Sequence, residues 1–137
     1  MQVDLNPVYY HFVAAMQPGG EEQELSLANS RARLRMSTLY YHGQANGLLV
    51  AGTGNKVEDF GVGFYTKYGD GGVDLSPIAD LVKTEVFALA RYLGVVDSIL
   101  DAKPTDGLWG DDRTDEDQLG ATYPELEWAM AQHEEGK

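Results

Sequence analysis

Seven glycines lie within residues 52–74, and this stretch constrains the fold more than any other part of the sequence. Two lysines, two threonines and four acidic residues stand among them. The apolar run directly before it, residues 48–51, predicts a buried strand. A strand that opens into a glycine-rich loop of mixed charge is how α/β proteins bring amides, cations and carboxylates to a phosphorylated ligand. A mobile surface loop is the alternative, but four aromatic residues among the glycines argue against it.

The length and composition predict one modest domain. A chain of 137 residues can build a single core but is short for a complete α/β enzyme, so residues 1–137 are interpreted as a single partial domain. No apolar run approaches the length of a membrane span, which argues against a membrane protein. Cysteine is absent, which excludes disulfides and a thiol nucleophile and fits a cytoplasmic protein.

The charge is distributed unevenly along the chain. The formal net charge is −12, so nucleic acid is not expected as a partner. Residues 1–57 hold four acids and four bases, and the whole negative excess therefore lies in residues 58–137. No acid occurs between Leu25 and Val57, although three arginines lie there within five residues. This basic strip in an acidic protein predicts a site for an anionic small molecule.

The periodicity predicts a helix-rich chain. Helices are expected from Asn6-Pro7 to Pro18-Gly19-Gly20, then over residues 25–41, 78–93 and 122–132, with a short turn at 96–100. The second helix is expected to turn four residues inward: Leu27, Leu34, Thr38 and Tyr41. Residues 73–78 are extended and can hold a short strand. Because one clear strand cannot form a sheet alone, we expect part of an α/β fold, a partial Rossmann-like parallel sheet flanked by helices.

The pattern alone nominates residues for a phosphate and its metal. Thr53 follows the predicted strand at the end where open α/β sheets bind ligands. Glu58 and Asp59 come a few residues later, and carboxylates beside phosphates usually hold Mg²⁺. Lys67 and Lys83 are point charges suited to phosphate, although either can equally form a surface ion pair.

The second predicted helix carries three arginines, Arg31, Arg33 and Arg35. The planar guanidinium group of arginine can form two parallel hydrogen bonds to a phosphate or a carboxylate. The three arginines alternate along the helix and cannot all share one face, so a solvated basic face is an equal alternative for each. The three histidines are scattered without the spacing of a zinc site and are interpreted as structural.

Several motifs, in this order along the chain, resemble those of NAD⁺ synthetases. The match covers most of the chain from about Leu27, and its most specific block is Lys67–Asp74. The other matching stretches are Ala32–Met36, 52–58, 63–66, 76–78, 83–84, 103–108 and 115–120.

The resemblance implies an activity and assigns roles to individual residues. NAD⁺ synthetases adenylate the nicotinate carboxylate of deamido-NAD⁺ with ATP and Mg²⁺, and ammonia then displaces AMP. Deamido-NAD⁺ ligands are implied at Arg33, Lys67 and Asp74. ATP ligands are implied at Thr53, Lys83 and Thr105, and a Mg²⁺ ligand at Glu58. A homodimer is implied as well, with the deamido-NAD⁺ site at its interface.

The sequence also departs from that family. The Ser-Gly-Gly-x-Asp-Ser loop that grips pyrophosphate occurs nowhere in the 137 residues, and a His-Lys pair expected near the C-terminus is missing. We therefore expect a fragment of a longer enzyme that binds its ligands poorly and does not turn over alone. Two alternatives stay open: the synthetase domain of a glutamine-dependent enzyme, and a non-catalytic nucleotide-binding or dimerisation module.

Overall fold

The structure, a computed structural model, describes residues 2–17, 19–20 and 23–136. Its contacts divide the chain into two compact units. The first unit comprises Met1–Gly52 and Thr66–Leu75, and the second comprises Thr53–Tyr65 and Ser76–Lys137. That residues 1–137 form a single partial domain stays a prediction. In the part of the chain that the structure describes, no helix is long and apolar enough to cross a membrane.

The first unit is built on two helices, α1 (Asn6–Met16) and α2 (Glu24–Asn46). Proline in the first turn of α1 agrees with the predicted start, because that position needs no amide donor. The helix ends with Gln17 in a left-handed conformation (φ 48°), and the predicted stop at Pro18 lies outside the described residues.

Helix α2 is longer than predicted and turns a different face inward. It continues past the expected stop at His42-Gly43 to Asn46, and Gly47 ends it with φ 64°. Its buried residues are Ala28, Ala32 and Gly43, whereas Tyr41 is 70% exposed, so the prediction of Tyr41 as an inward residue was wrong. Small residues face inward because the following chain lies directly on the helix. A Cβ at Gly43 would come within 3.1 Å of the carbonyl of Leu48.

The buried strand predicted at residues 48–51 is reduced to a single bridge, and its burial was predicted wrongly, because Leu48 and Leu49 are 67% and 70% exposed while Val50 alone is buried. Ala51 pairs in parallel with Leu75, and the amide of Gly52 donates to the carbonyl of Leu75 at 2.7 Å. The direction agrees with the predicted parallel arrangement. Elsewhere in the described residues there is no β pairing, so the expected parallel sheet is not confirmed.

The second unit contains a π-helix (Val57–Val62) and four α-helices. These are α3 (Lys83–Tyr92), α4 (Asp97–Leu100), α5 (Asp115–Leu119) and α6 (Tyr123–Glu134). Helix α6 packs against both the π-helix and α3, and Val57, the first residue of the π-helix, is fully buried. The sequence pattern predicted loop rather than helix over residues 57–62.

Helix α3 begins five residues later than the predicted start at Ile78. Residues 77–80 form turns instead, and Val82 is extended (ψ 164°) as the N-cap. Glu85, one of the residues whose spacing predicted this helix, is exposed and accepts a hydrogen bond from the Val82 amide at 3.0 Å. The apolar pattern extended the prediction into the turns, whereas the carboxylate of Glu85 fixes the true start.

Capping boxes begin α5 and α6. Thr114 Oγ1 accepts from the Asp117 amide at 3.1 Å, and Asp117 accepts in return from the Thr114 amide at 2.9 Å. The spacing Thr114-x-x-Asp117 in the sequence predicts this capping box, and the structure confirms it, with Asp in place of the usual Glu or Gln. Thr122 and Glu125 form a second box at α6, which the sequence analysis did not identify.

Candidate functional site

Glu58 and Lys83 form a partly buried ion pair in the second unit. Lys83 Nζ lies 2.8 Å from Glu58 Oε1, and the two side chains are 17% and 14% exposed. Glu58 stands in the first turn of the π-helix, and Lys83 is the first residue of α3. The structure therefore brings together the predicted metal ligand and one predicted ATP ligand.

Local backbone contacts position the two partners. The buried side chain of Asn55 accepts hydrogen bonds from the amides of Val57 (3.0 Å) and Glu58 (3.2 Å), which fixes the start of the π-helix. The amide of Lys56 donates to the carbonyl of Leu81 at 2.8 Å, which holds the chain before α3 beside the π-helix. The glycine-rich loop thus presents Glu58 from an ordered helical turn.

Tyr123, the buried first residue of α6, links this pair to a second acid. Its hydroxyl lies 2.7 Å from Glu58 Oε1 and 3.2 Å from Asp115 Oδ2. The ammonium of Lys83 lies over its ring, 4.7 Å from the centroid, in a cation–π contact. We name Glu58, Lys83, Asp115 and Tyr123 the carboxylate cluster.

The protonation states in the cluster follow from burial and hydrogen bonding. Burial alone would raise the pKa of Glu58, but the hydrogen bonds from Lys83 and Tyr123 outweigh it and hold that pKa below its usual value. Burial, together with the neighbouring Glu58, raises the pKa of the Tyr123 hydroxyl, which keeps it a neutral donor. Burial also raises the pKa of Asp115, against the lowering effect of the Tyr123 hydrogen bond.

The donor set of the cluster fits Mg²⁺ only with help from a ligand. Among the described residues, no group of three or more histidine, aspartate or glutamate side chains could hold a metal by itself. Mg²⁺ is usually bound through one or two carboxylates together with substrate phosphates and water. Glu58 supplies one carboxylate, and buried Asp115 Oδ1 has no hydrogen-bond partner in the described structure. The residues present therefore fit a metal whose remaining ligands are water or phosphate oxygens.

The other two predicted ATP ligands, Thr53 and Thr105, have surroundings different from those of this pair. Thr105, exposed in the irregular segment between α4 and α5, donates to the carbonyl of Arg113 at 3.2 Å. Thr53 is exposed. In the described ranges no hydrogen bond joins either threonine to Glu58 or Lys83.

In the first unit, Arg33 and Lys67 lie next to each other. Arg33 Nε donates to the carbonyl of Lys67 at 3.1 Å, and the Lys67 ammonium lies 5.1 Å from the ring centroid of Tyr68. Arg31 instead lies over the ring of Tyr9, 4.6 Å from its centroid. Two of the three residues that the resemblance assigns to deamido-NAD⁺ are thus brought together.

A tight turn on α2 holds Lys67 in this place. Thr66 Oγ1 donates to Asn29 on α2 at 2.6 Å, and the Thr66 amide donates to Asp70 at 3.0 Å. Gly69 is seated so closely that a Cβ there would lie 2.9 Å from the Cβ of Ala32. The glycine is therefore required by contact with the helix.

Asp74, the third predicted deamido-NAD⁺ ligand, is held by two donors. Its Oδ2 accepts from the Val50 amide at 2.8 Å, and its Oδ1 accepts from the Tyr40 hydroxyl at 3.1 Å. Burial and the hydrogen bond to Asp74 raise the pKa of Tyr40. Tyr40 was not predicted, although it follows Arg33 by seven residues and so shares its helix face. Asp115 and Tyr123 were also missed as site residues.

Comparison with known proteins identifies the family. A family model described as NAD synthase matches residues 1–137. The chain belongs to the NAD synthase family. Within that family, it is 42% identical over 134 residues to an NH(3)-dependent NAD(+) synthetase of Methanosarcina acetivorans, covering 98% of this chain and 52% of the relative. It is 49% identical over 121 residues to an NH(3)-dependent NAD(+) synthetase of Archaeoglobus fulgidus, and the match covers 88% of this chain and 48% of that relative. The chain spans about half the length of the curated relatives it matches.

Solved structures of NAD synthase family proteins have the same fold. The NMN synthetase of Francisella tularensis matches with a TM-score of 0.87 and 39% identity, over 100% of this chain and 54% of that one. An NH3-dependent NAD synthetase of Campylobacter jejuni matches with a TM-score of 0.65 and 33% identity, over 72% and 42%. These neighbours belong to the α/β class that the sequence predicted, while the described part of this chain is mainly helical.

Proposed function

We propose that this chain is part of an ATP- and Mg²⁺-dependent synthetase that amidates deamido-NAD⁺ to NAD⁺ with ammonia. The observation that carries the proposal is the partly buried Lys83–Glu58 pair, found in a chain of the NAD synthase family. Ammonia is proposed as the nitrogen source because the curated relatives quoted above are named NH(3)-dependent. A cytoplasmic homodimer is part of the same proposal.

The chemistry needs positive charge at the leaving group. In the first step the nicotinate carboxylate attacks the α-phosphorus of ATP, and the bond to pyrophosphate breaks. In the second, ammonia attacks the acyl carbon, loses a proton, and AMP leaves. Lys83 would exchange the carboxylate of Glu58 for a phosphate oxygen, and Glu58 would accept the metal in its place. Bound Mg²⁺ supplies charge neutralisation on the phosphates.

The three residues of the first unit would hold the dinucleotide. Arg33 and Lys67 offer adjacent cations for its phosphates, and Asp74 offers a carboxylate fixed by Tyr40 and the Val50 amide. Thr53 and Thr105 are proposed as hydroxyl donors to ATP.

Reconstitution tests the proposal. The Methanosarcina acetivorans synthetase would be divided into the half that matches this chain and the remaining half. The remaining half would be mixed with this chain. As a control, it would be mixed with the relative's own matching half. Amide product formed with deamido-NAD⁺, ATP, Mg²⁺ and ammonia would support the proposal, and this chain alone is expected to give none. If the control mixture is active and the mixture with this chain neither binds deamido-NAD⁺ nor reacts, the chain is a non-catalytic module.

A mononucleotide substrate is the second candidate. It is favoured by the match to the Francisella tularensis protein named NMN synthetase, which covers 100% of this chain. The same reconstituted assay would compare nicotinate mononucleotide with deamido-NAD⁺. A higher kcat/KM for the mononucleotide would replace the first candidate by the second, with the same adenylation chemistry.

A further inference from the structure

Asp115 is a buried acid to which the proposed function gives no role. Its side chain is buried, with 7% of the residue exposed. Oδ2 lies 3.2 Å from the Tyr123 hydroxyl, while Oδ1 has no hydrogen-bond partner in the described structure. Its amide donates to the carbonyl of Pro104 at 3.0 Å, which fixes the backbone that carries it. A buried carboxylate oxygen without a partner is costly and calls for an occupant.

The charges around Tyr123 do not balance. Glu58 and Asp115 both contact its single hydroxyl, so the two carboxylates are neighbours. Lys83 forms its ion pair with Glu58 and also acts electrostatically on Asp115, so one cation serves two carboxylates. Two partly buried carboxylates that share one cation favour a second bound cation.

The nearby Asp106 increases this negative potential. Its Oδ1 accepts from the amide of Leu108, and its Oδ2 accepts from the Trp109 indole and the Gln118 amide. These donors are neutral, so they satisfy Asp106 without cancelling its charge.

We propose that Asp115 is a second carboxylate ligand, beside Glu58, for a divalent cation. The Tyr123 hydroxyl lies between the two acids, 2.7 Å from Glu58 Oε1 and 3.2 Å from Asp115 Oδ2, and it leaves Asp115 Oδ1 free. Two carboxylates with water and phosphate oxygens are a usual set for Mg²⁺. The inference deepens the proposed function and rests on it for the identity of the phosphate ligand.

Binding of Mn²⁺ alone tests the inference without the reaction. Free Mn²⁺ would be titrated by electron paramagnetic resonance in this chain and in Asp115→Asn, with Asp112→Asn as the control that removes an exposed acid of the same segment. We expect Asp115→Asn to weaken Mn²⁺ binding by about tenfold or more, and Asp112→Asn to change it by less than about twofold. Equal affinity of Asp115→Asn and the parent chain would overturn the inference, as would absence of Mn²⁺ binding by the parent.

A second measurement uses the unmodified chain, in case Asp115→Asn fails to fold. Bound Mn²⁺ broadens nearby nuclear magnetic resonances, so the amide signals of Asp115 and Glu58 should disappear at lower Mn²⁺ concentrations than that of Asp112. Broadening at Glu58 without Asp115 would contradict the proposal. Mn²⁺ binding is independent of amidation. If this chain binds Mn²⁺ here but neither binds deamido-NAD⁺ nor reacts in the reconstituted mixture, while the control mixture is active, the proposed function is overturned and this inference stands.

Discussion

Lys83 and Glu58 neutralise each other across 2.8 Å in the part of the second unit where the glycine-rich loop meets α3. When ligands bind, Lys83 would exchange the carboxylate of Glu58 for a phosphate, and Glu58 would exchange the ammonium of Lys83 for a metal. The pairing keeps both side chains ordered and partly buried before ligands bind, so that little reorganisation is needed when phosphate arrives.

Replacing Lys83 by alanine should lower the amidation rate of the reconstituted enzyme by roughly a hundredfold, because a cation at the leaving phosphate is lost. Steady-state assays with saturating deamido-NAD⁺ would measure it. Arg91→Ala is the matched control, since it removes an exposed cation from the other end of the same helix. A rate for Lys83→Ala equal to that of the control would show that Lys83 only stabilises Glu58.

The pH dependence of stability should reveal the same pair. The folded-state pKa of Glu58 is lowered from 4.5, so the unfolded chain binds more protons and the contribution to stability rises with pH. It is fully present above pH about 4.5 and is lost as the pH falls through the lowered folded-state value. Urea unfolding at pH 7 and pH 4 should therefore show a larger acid loss of unfolding free energy for the parent than for Glu58→Gln. The same loss in both proteins would mean that Glu58 does not contribute.

Substituting Gly69 should destabilise the first unit. A Cβ there would lie 2.9 Å from the Cβ atoms of Ala32 and Thr66, so Gly69→Ala should cost about 1–3 kcal/mol through overpacking. Gly110→Ala is the control, because a Cβ at Gly110 meets nothing within 4 Å. Urea titrations of both variants would give the free energies of unfolding. No difference between them would show that the turn can move away from α2.

What could be predicted from the sequence, in the fold and in the candidate site, was what a local pattern marks, as particular residues show. Lys67 and Glu58 could be predicted as ligand-binding residues because their charges lie among glycines. Such a pattern is local and is recognised directly as a sequence motif. The start of α3 could not be predicted, because the turns at 77–80 carry the same apolar spacing as the helix. Asp115 and Tyr123 depend on contacts between residues distant in sequence, the hydroxyl of Tyr123 lying 65 positions from Glu58. No local pattern marks such a contact.

Tyr40 should affect dinucleotide binding through Asp74. Its hydroxyl is one of the two donors to that carboxylate, at 3.1 Å, so Tyr40→Phe leaves Asp74 held by the Val50 amide alone. We expect the affinity for deamido-NAD⁺ to fall by about three- to tenfold, the usual value of one hydrogen bond. Isothermal titration of the reconstituted protein would measure the dissociation constant. Tyr41→Phe is the control, since it removes a hydroxyl from the adjacent, exposed position. If both variants bind as the parent does, Asp74 is positioned by the backbone and Tyr40 has no part in the site.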